Sequence, residues 1–130
     1  MLRALRWSIA WALLILVLCL MPGQALPQWN WFALLDLDKL VHAGLFFVFT
    51  VLLAQAFFSN RSPAHYLVWA CIISIAYGFA TEFMQGMEAL GRRTDLNDMI
   101  ANSVGALIAA VYVNWKEKKG KAIVPFAFLR

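Results

Sequence analysis

Ten side chains in this sequence carry most of its capacity for chemistry. His42, Glu82, Gln85, Asp98 and Asn102 fall inside or at the ends of long apolar runs, and Asp38, Lys39, Arg92, Arg93 and Asp95 stand just outside them. A histidine with two carboxylates could work as a general acid/base group. His42, Glu82 and Asp98 also offer nitrogen and oxygen ligands for a divalent metal, a variant of the same reading. Gln85 and Asn102 could hold hydroxyl or amide groups. Arg92 and Arg93 suit a phosphate, because the guanidinium is a planar fork of donors. No serine or cysteine nucleophile with a nearby base stands out. No cofactor is expected.

The elements that must position these groups follow from composition. Hydrophobic residues make up 63% of the 130 residues and charged residues 14%, against about 45–50% and about 25% in soluble domains. A chain this short leaves much of its surface exposed, so it cannot hide that many apolar side chains from water. A soluble enzyme, a disordered tail and a disulfide scaffold are therefore excluded, and lipid is the solvent for much of the protein. The net charge of +4 does not indicate nucleic acid, since the basic residues cluster at the ends of apolar runs. Cys19 and Cys71 are expected at different depths, as small packing residues without a disulfide.

Charge-free runs place four spans near 6–22, 39–58, 65–87 and 98–116, each about the length a spanning helix needs. Helix is required because four segments cannot close a barrel. The expectation is an all-α polytopic bundle, a single membrane domain over 1–130, with a basic cytoplasmic tail at 117–130. Residues 27–38 are too short to span and too apolar for a water loop, so they read as an interfacial segment on the outer side. The first run is also compatible with a cleaved leader, but its small-residue site, Gly23-Gln24-Ala25, is weak. Leu18 before Cys19 argues against a lipoprotein site.

Four spans put both termini on one side. That side carries Arg3, Arg6, Arg61, Lys116, Lys118, Lys119, Lys121 and Arg130, while the other has only Lys39, Arg92 and Arg93. The positive-inside rule then predicts cytoplasmic termini in the cell membrane, or in the inner membrane of a Gram-negative source. The polybasic stretch Lys116–Lys121 reads as a collar on anionic lipid, followed by an apolar tail on the inner leaflet.

In this topology the polar groups of three spans share one level, in the outer leaflet. Helical spacing puts Ser74, Gly78, Glu82 and Gln85 on one face, and Asp95, Asp98, Asn102, Gly105 and Ala109 on another. Asp38, His42 and Phe46 share a third. The small residues allow close helix approach, and the expected result is a polar recess opening outward. Each group also has a plainer reading. Asp95 and Asp98 could serve the helix N-terminus, Arg92 and Arg93 could pair with Glu88 and Asp95, and His42 could bind Glu82 or Asn102 merely to join helices. Glu82 is the hardest to dismiss, because an acid inside a span demands a basic partner or a retained proton.

The ordered set Asp38-Lys39-x-x-His42, Glu82-x-x-Gln85 and Arg93-x-Asp95-x-x-Asp98-x-x-x-Asn102-x-x-Gly105, each on its own span, resembles the VanZ-like family of small bacterial membrane proteins. The resemblance runs over roughly residues 36 to 109. It implies several spans and a cell-envelope role, the namesake being associated with reduced susceptibility to the glycopeptide antibiotic teicoplanin. It does not supply a mechanism. Two functions follow as expectations: binding or modulating an outer-leaflet amphiphile (a lipid headgroup or a lipid-linked precursor), or an enzyme using His42 and Glu82 on a lipid substrate. Transport fits poorly, because there is no inverted repeat and no broken central helix. Membrane lipids are the expected partners, and the sequence sets no oligomeric state.

Overall fold

The computed structural model describes residues 2–20, 37–59, 65–87 and 96–130. Four α-helices run through them: α1 (Leu2–Leu20), α2 (Leu37–Ser59), α3 (Tyr66–Gln85) and α4 (Leu96–Lys118). A short 3₁₀ turn (Ala127–Leu129) closes the chain, and no strand occurs among the described residues. Three helices are long and apolar enough to cross a membrane, within Lys39–Ser59, Tyr66–Gln85 and Leu96–Lys118. The apolar part of α1 is shorter, Leu5–Leu20, so the first of the four expected spans is the least complete. Its expected last residues, 21 and 22, lie outside the described residues. The other boundaries differ from expectation by a residue or two, as helix ends do. The interfacial segment expected over 27–38 also lies outside them, except for Leu37 and Asp38, which already belong to α2.

The burial pattern is that of a bundle in lipid. On α3 the buried residues are Ala70, Ser74, Gly78, Thr81, Glu82 and Gln85. On α4 they are Asp98, Asn102, Gly105, Ala106, Ala109 and Val113. The large apolar side chains point away: Phe79 and Phe83 on α3, and Leu107, Ile108 and Val111 on α4, are exposed. Water would reverse this distribution. Lipid tails are as apolar as Leu or Phe, so helices gain by turning small and polar faces inward, where backbones approach and hydrogen bonds form.

α2 is the central helix. Over its apolar window 56% is buried, against 28% in α3 and 33% in α4. Phe46, Phe49 and Tyr77 form its aromatic core, with ring centroids 5.3–6.3 Å apart. One hydrogen bond ties α1 to each of its neighbours: Tyr77 Oη of α3 donates to Ala12 O at 2.6 Å, and Trp11 Nε1 donates to Leu45 O of α2 at 2.9 Å. At the far end of α3, Tyr66 Oη donates to Glu117 Oε2 at 2.8 Å. The start of α3 therefore meets the end of α4, and the two run antiparallel. Cys19 and Cys71 form no disulfide.

The C-terminal tail is not a free arm on the leaflet. Gly120 has φ 61°, the left-handed conformation that glycine adopts without strain. Its N–H donates to Glu117 O at 2.9 Å, and that of Lys121 donates to Lys116 O at 3.0 Å. These two bonds define a Schellman cap, which satisfies the last carbonyls of α4 and reverses the chain. The tail then returns along the bundle, where Ile123 and Val124 are buried in the apolar core. Tyr112 Oη donates to Ile123 O at 3.3 Å. Trp7 of α1 holds the tail from the other side, through Nε1 to Phe128 O at 3.1 Å and an edge-to-face contact with the Phe128 ring.

Candidate functional site

The first turns of α2 and α4 meet at one end of the bundle. Asp98 and Asn102 are four residues apart on α4, so both project toward α2, one turn above the other. His42 reaches between them. Its Nδ1 lies 3.2 Å from Asn102 Oδ1, and its Nε2 lies 3.7 Å from Asp98 Oδ2. With the amide oxygen as acceptor, the Nδ1–H donates. Nε2 then faces a carboxylate at ion-pair distance. The side chains of His42 and Asp98 are only 12% and 11% exposed, which keeps the pair largely dry yet still accessible.

α3 supplies the third wall. Gly78 sits against Asn102: a Cβ at position 78 would lie 3.2 Å from Asn102 Cβ, 3.4 Å from its Nδ2 and 3.2 Å from Phe46 Cε1. The absent side chain is what makes room for Asn102. One turn further along α3 is Glu82, 1% exposed, and then Gln85, 2% exposed. α3 and α4 run antiparallel, so Glu82 rises from the Gly78 level in the same direction as Asp98 rises from Asn102. The close approach of α2 and α4 depends on Gly105, whose missing Cβ faces the backbone of Ala43.

Among the described residues, two donors in this cluster have no acceptor. Gln85 Nε2 and Asn102 Nδ2 are both buried and lack a hydrogen-bond partner among the described residues. Leaving a buried donor unsatisfied costs about 1–3 kcal/mol. Two in one cluster is a local expense that folding alone does not explain, and such exceptions point to a functional role.

The structure thus joins His42, Asp98 and Asn102 directly, and places Glu82 and Gln85 on the adjoining buried face. Lys39 is half-buried, three residues before His42 on α2. Asp38 belongs to the first turn of α2. Arg92, Arg93 and Asp95 lie outside the described residues. Of the two partners considered for His42, Asn102 is the one bonded. Asp98 lies inside the first turn of α4, which starts at Leu96, so it is not the cap itself, although its charge suits the helix dipole. Among the described residues no three His, Cys, Asp or Glu side chains converge as metal ligands.

Buried polarity also extends deeper than the expected single level. Thr50 Oγ1 donates to Phe46 O at 2.7 Å and shares a 2.7 Å hydrogen bond with Ser74 Oγ. Gln55 is buried too, and its Nε2 donates to Ser59 Oγ at 2.8 Å. Spacing already put Ser74 on the polar face of α3, but Thr50 and Gln55 carried little signal. A hydroxyl that bonds its own helix four residues back is inexpensive in a span, so its presence says little by itself.

A family model described as VanZ/LLP1 matches residues 7–117, which include every member of this cluster and leave out the returning tail. No curated protein and no solved structure matches the chain.

Proposed function

The chain belongs to the VanZ/LLP1 family, and from that premise we propose that its polar cluster binds or modulates an amphiphile of the outer leaflet, a lipid headgroup or a lipid-linked envelope precursor. The observation that carries this reading is the pair of buried amide donors, Gln85 Nε2 and Asn102 Nδ2, beside the carboxylates of Glu82 and Asp98. The donors want phosphoryl or carbonyl oxygens, and a headgroup that carries them meets this need. Arg92 and Arg93, between α3 and α4 in the sequence, hold its phosphate. The lysine and arginine distribution orients the cluster outward, with both termini in the cytoplasm. The glycopeptide-antibiotic response implied by the resemblance falls under the same reading, with the susceptibility of expressing cells as its readout.

Photoreactive phospholipid and photoreactive lipid-linked precursor test the reading. Arg92→Ala/Arg93→Ala and Gln85→Leu should each reduce labelling by one of the two probes. Gln85→Leu should do so without loss of stability, since it replaces an unsatisfied donor with an apolar side chain. Unchanged labelling of both folded variants refutes the proposal.

A second reading rests on the His42 geometry. A ring held by Asn102 through Nδ1, with Nε2 toward Asp98, is an oriented imidazole of the kind acid/base catalysis uses. Glu82 is then the acid/base partner in an enzyme acting on an outer-leaflet lipid. Its test is turnover: pure protein incubated with a lipid extract should change a headgroup, and Glu82→Gln should abolish that change.

A further inference from the structure

Between the returning tail and the bundle lies a cavity of about 330 Å³. Phe47, Val51 and Leu52 of α2 and Tyr112 of α4 line one side, and Ile123 and Leu129 of the tail line the other. The lining is almost wholly apolar. The α2 residues fall in the middle of the span Lys39–Ser59, so the cavity lies at membrane depth. An apolar space of this kind offers water no partners and stays dry, and acyl chains are the medium around it.

The charge beside the cavity narrows the occupant. Lys116 Nζ lies 5.5 Å from the ring centroid of Tyr112, a lining residue. The Arg130 guanidinium donates to Val124 O at 2.9 Å and to Pro125 O at 3.4 Å, both on the wall of the cavity. Lys118, Lys119 and Lys121 are close in sequence. The one acid in this stretch, Glu117, accepts from Tyr66. An apolar slot with cations at its margin matches a lipid that joins a chain to a negative headgroup.

We propose that this cavity holds one acyl chain of an anionic phospholipid, with the phosphate on Lys116 and Arg130. The site is separate from the polar cluster, which sits at the opposite ends of α3 and α4, so the two proposals stand or fall independently. The tail forms one wall and lies beyond the family match at 117, while the α2 and α4 wall lies within it.

The test is lipid retention by the full-length protein in mixed micelles, read by native mass spectrometry. The probes are phosphatidylglycerol and phosphatidylcholine with identical chains. The wild-type protein should retain phosphatidylglycerol preferentially. Lys116→Gln/Arg130→Gln should lower that preference by about twenty-five-fold, about fivefold for each cation removed near an anionic headgroup. Val48→Trp, at a fourth lining residue of α2, should fill the cavity and abolish retention of both lipids. Leu129→Trp provides a second filling variant should the first misfold. Equal retention of the two lipids by the wild type overturns the proposal, as does retention unchanged in a folded filling variant, which is ordinary annular lipid.

Discussion

Gly44 and Gly105 both lie within helices, yet their substitution by alanine should have opposite effects. A Cβ added at Gly44 meets nothing within 4 Å. A Cβ added at Gly105 lies 2.9 Å from both C and Cα of Ala43 and closer still to its carbonyl oxygen. Carbon atoms rest about 3.5–4.0 Å apart, so α2 and α4 must separate by about 0.6 Å or more. The obstacle is backbone, which cannot swing aside. One turn away, the His42–Asn102 bond at 3.2 Å is already at the long end of its range, and the separation breaks it. Overpacking costs about 1–3 kcal/mol, and the lost hydrogen bond about 1 kcal/mol more. Alanine's better helix propensity returns about 0.5–1 kcal/mol. Gly105→Ala should therefore be destabilised by roughly 1–3 kcal/mol, whereas Gly44→Ala should be neutral or slightly stabilised, by at most about 1 kcal/mol. The assay is reversible unfolding in mixed micelles with increasing denaturing detergent, followed by circular dichroism and tryptophan fluorescence. If the two variants unfold at the same detergent fraction, the helices do not meet backbone to backbone at Gly105, and the geometry derived for His42 loses its foundation.

Two other outcomes concern single groups. His42→Ala strands the Asn102 amide with neither oxygen nor nitrogen paired, and should cost about 1–3 kcal/mol in the same assay; a variant as stable as the wild type would show that His42 does not join the helices. Gly120→Ala forces a Cβ into the left-handed cap conformation at about 1–2 kcal/mol, and should speed hydrogen exchange over residues 121–129 while leaving α2 protected, whereas unchanged exchange would mean that the cap does not hold the tail.

Much of this protein is legible before any tertiary information. Composition dictates lipid as solvent, and the charge-free runs dictate where helices lie, because no other backbone satisfies itself in hydrocarbon. The 3.6-residue period then decides which side chains share a face, and so Ser74, Gly78, Glu82 and Gln85 are buried together on α3 while Asp98, Asn102, Gly105 and Ala109 are buried together on α4. These are local properties, fixed within one helix. How the helices turn toward one another is not local. Whether His42 meets Asn102 or Glu82 depends on the phase of three rods, and that phase is set by the closest backbone approach, at Gly105 and Ala43. A glycine in the sequence does not announce which helix it will touch. The tail escaped sequence reasoning for a similar reason. Its basic collar suggested a surface segment, but one glycine at positive φ turns the chain, and the value of burying Ile123 and Val124 arises only once α1, α2 and α4 have formed the groove that receives them.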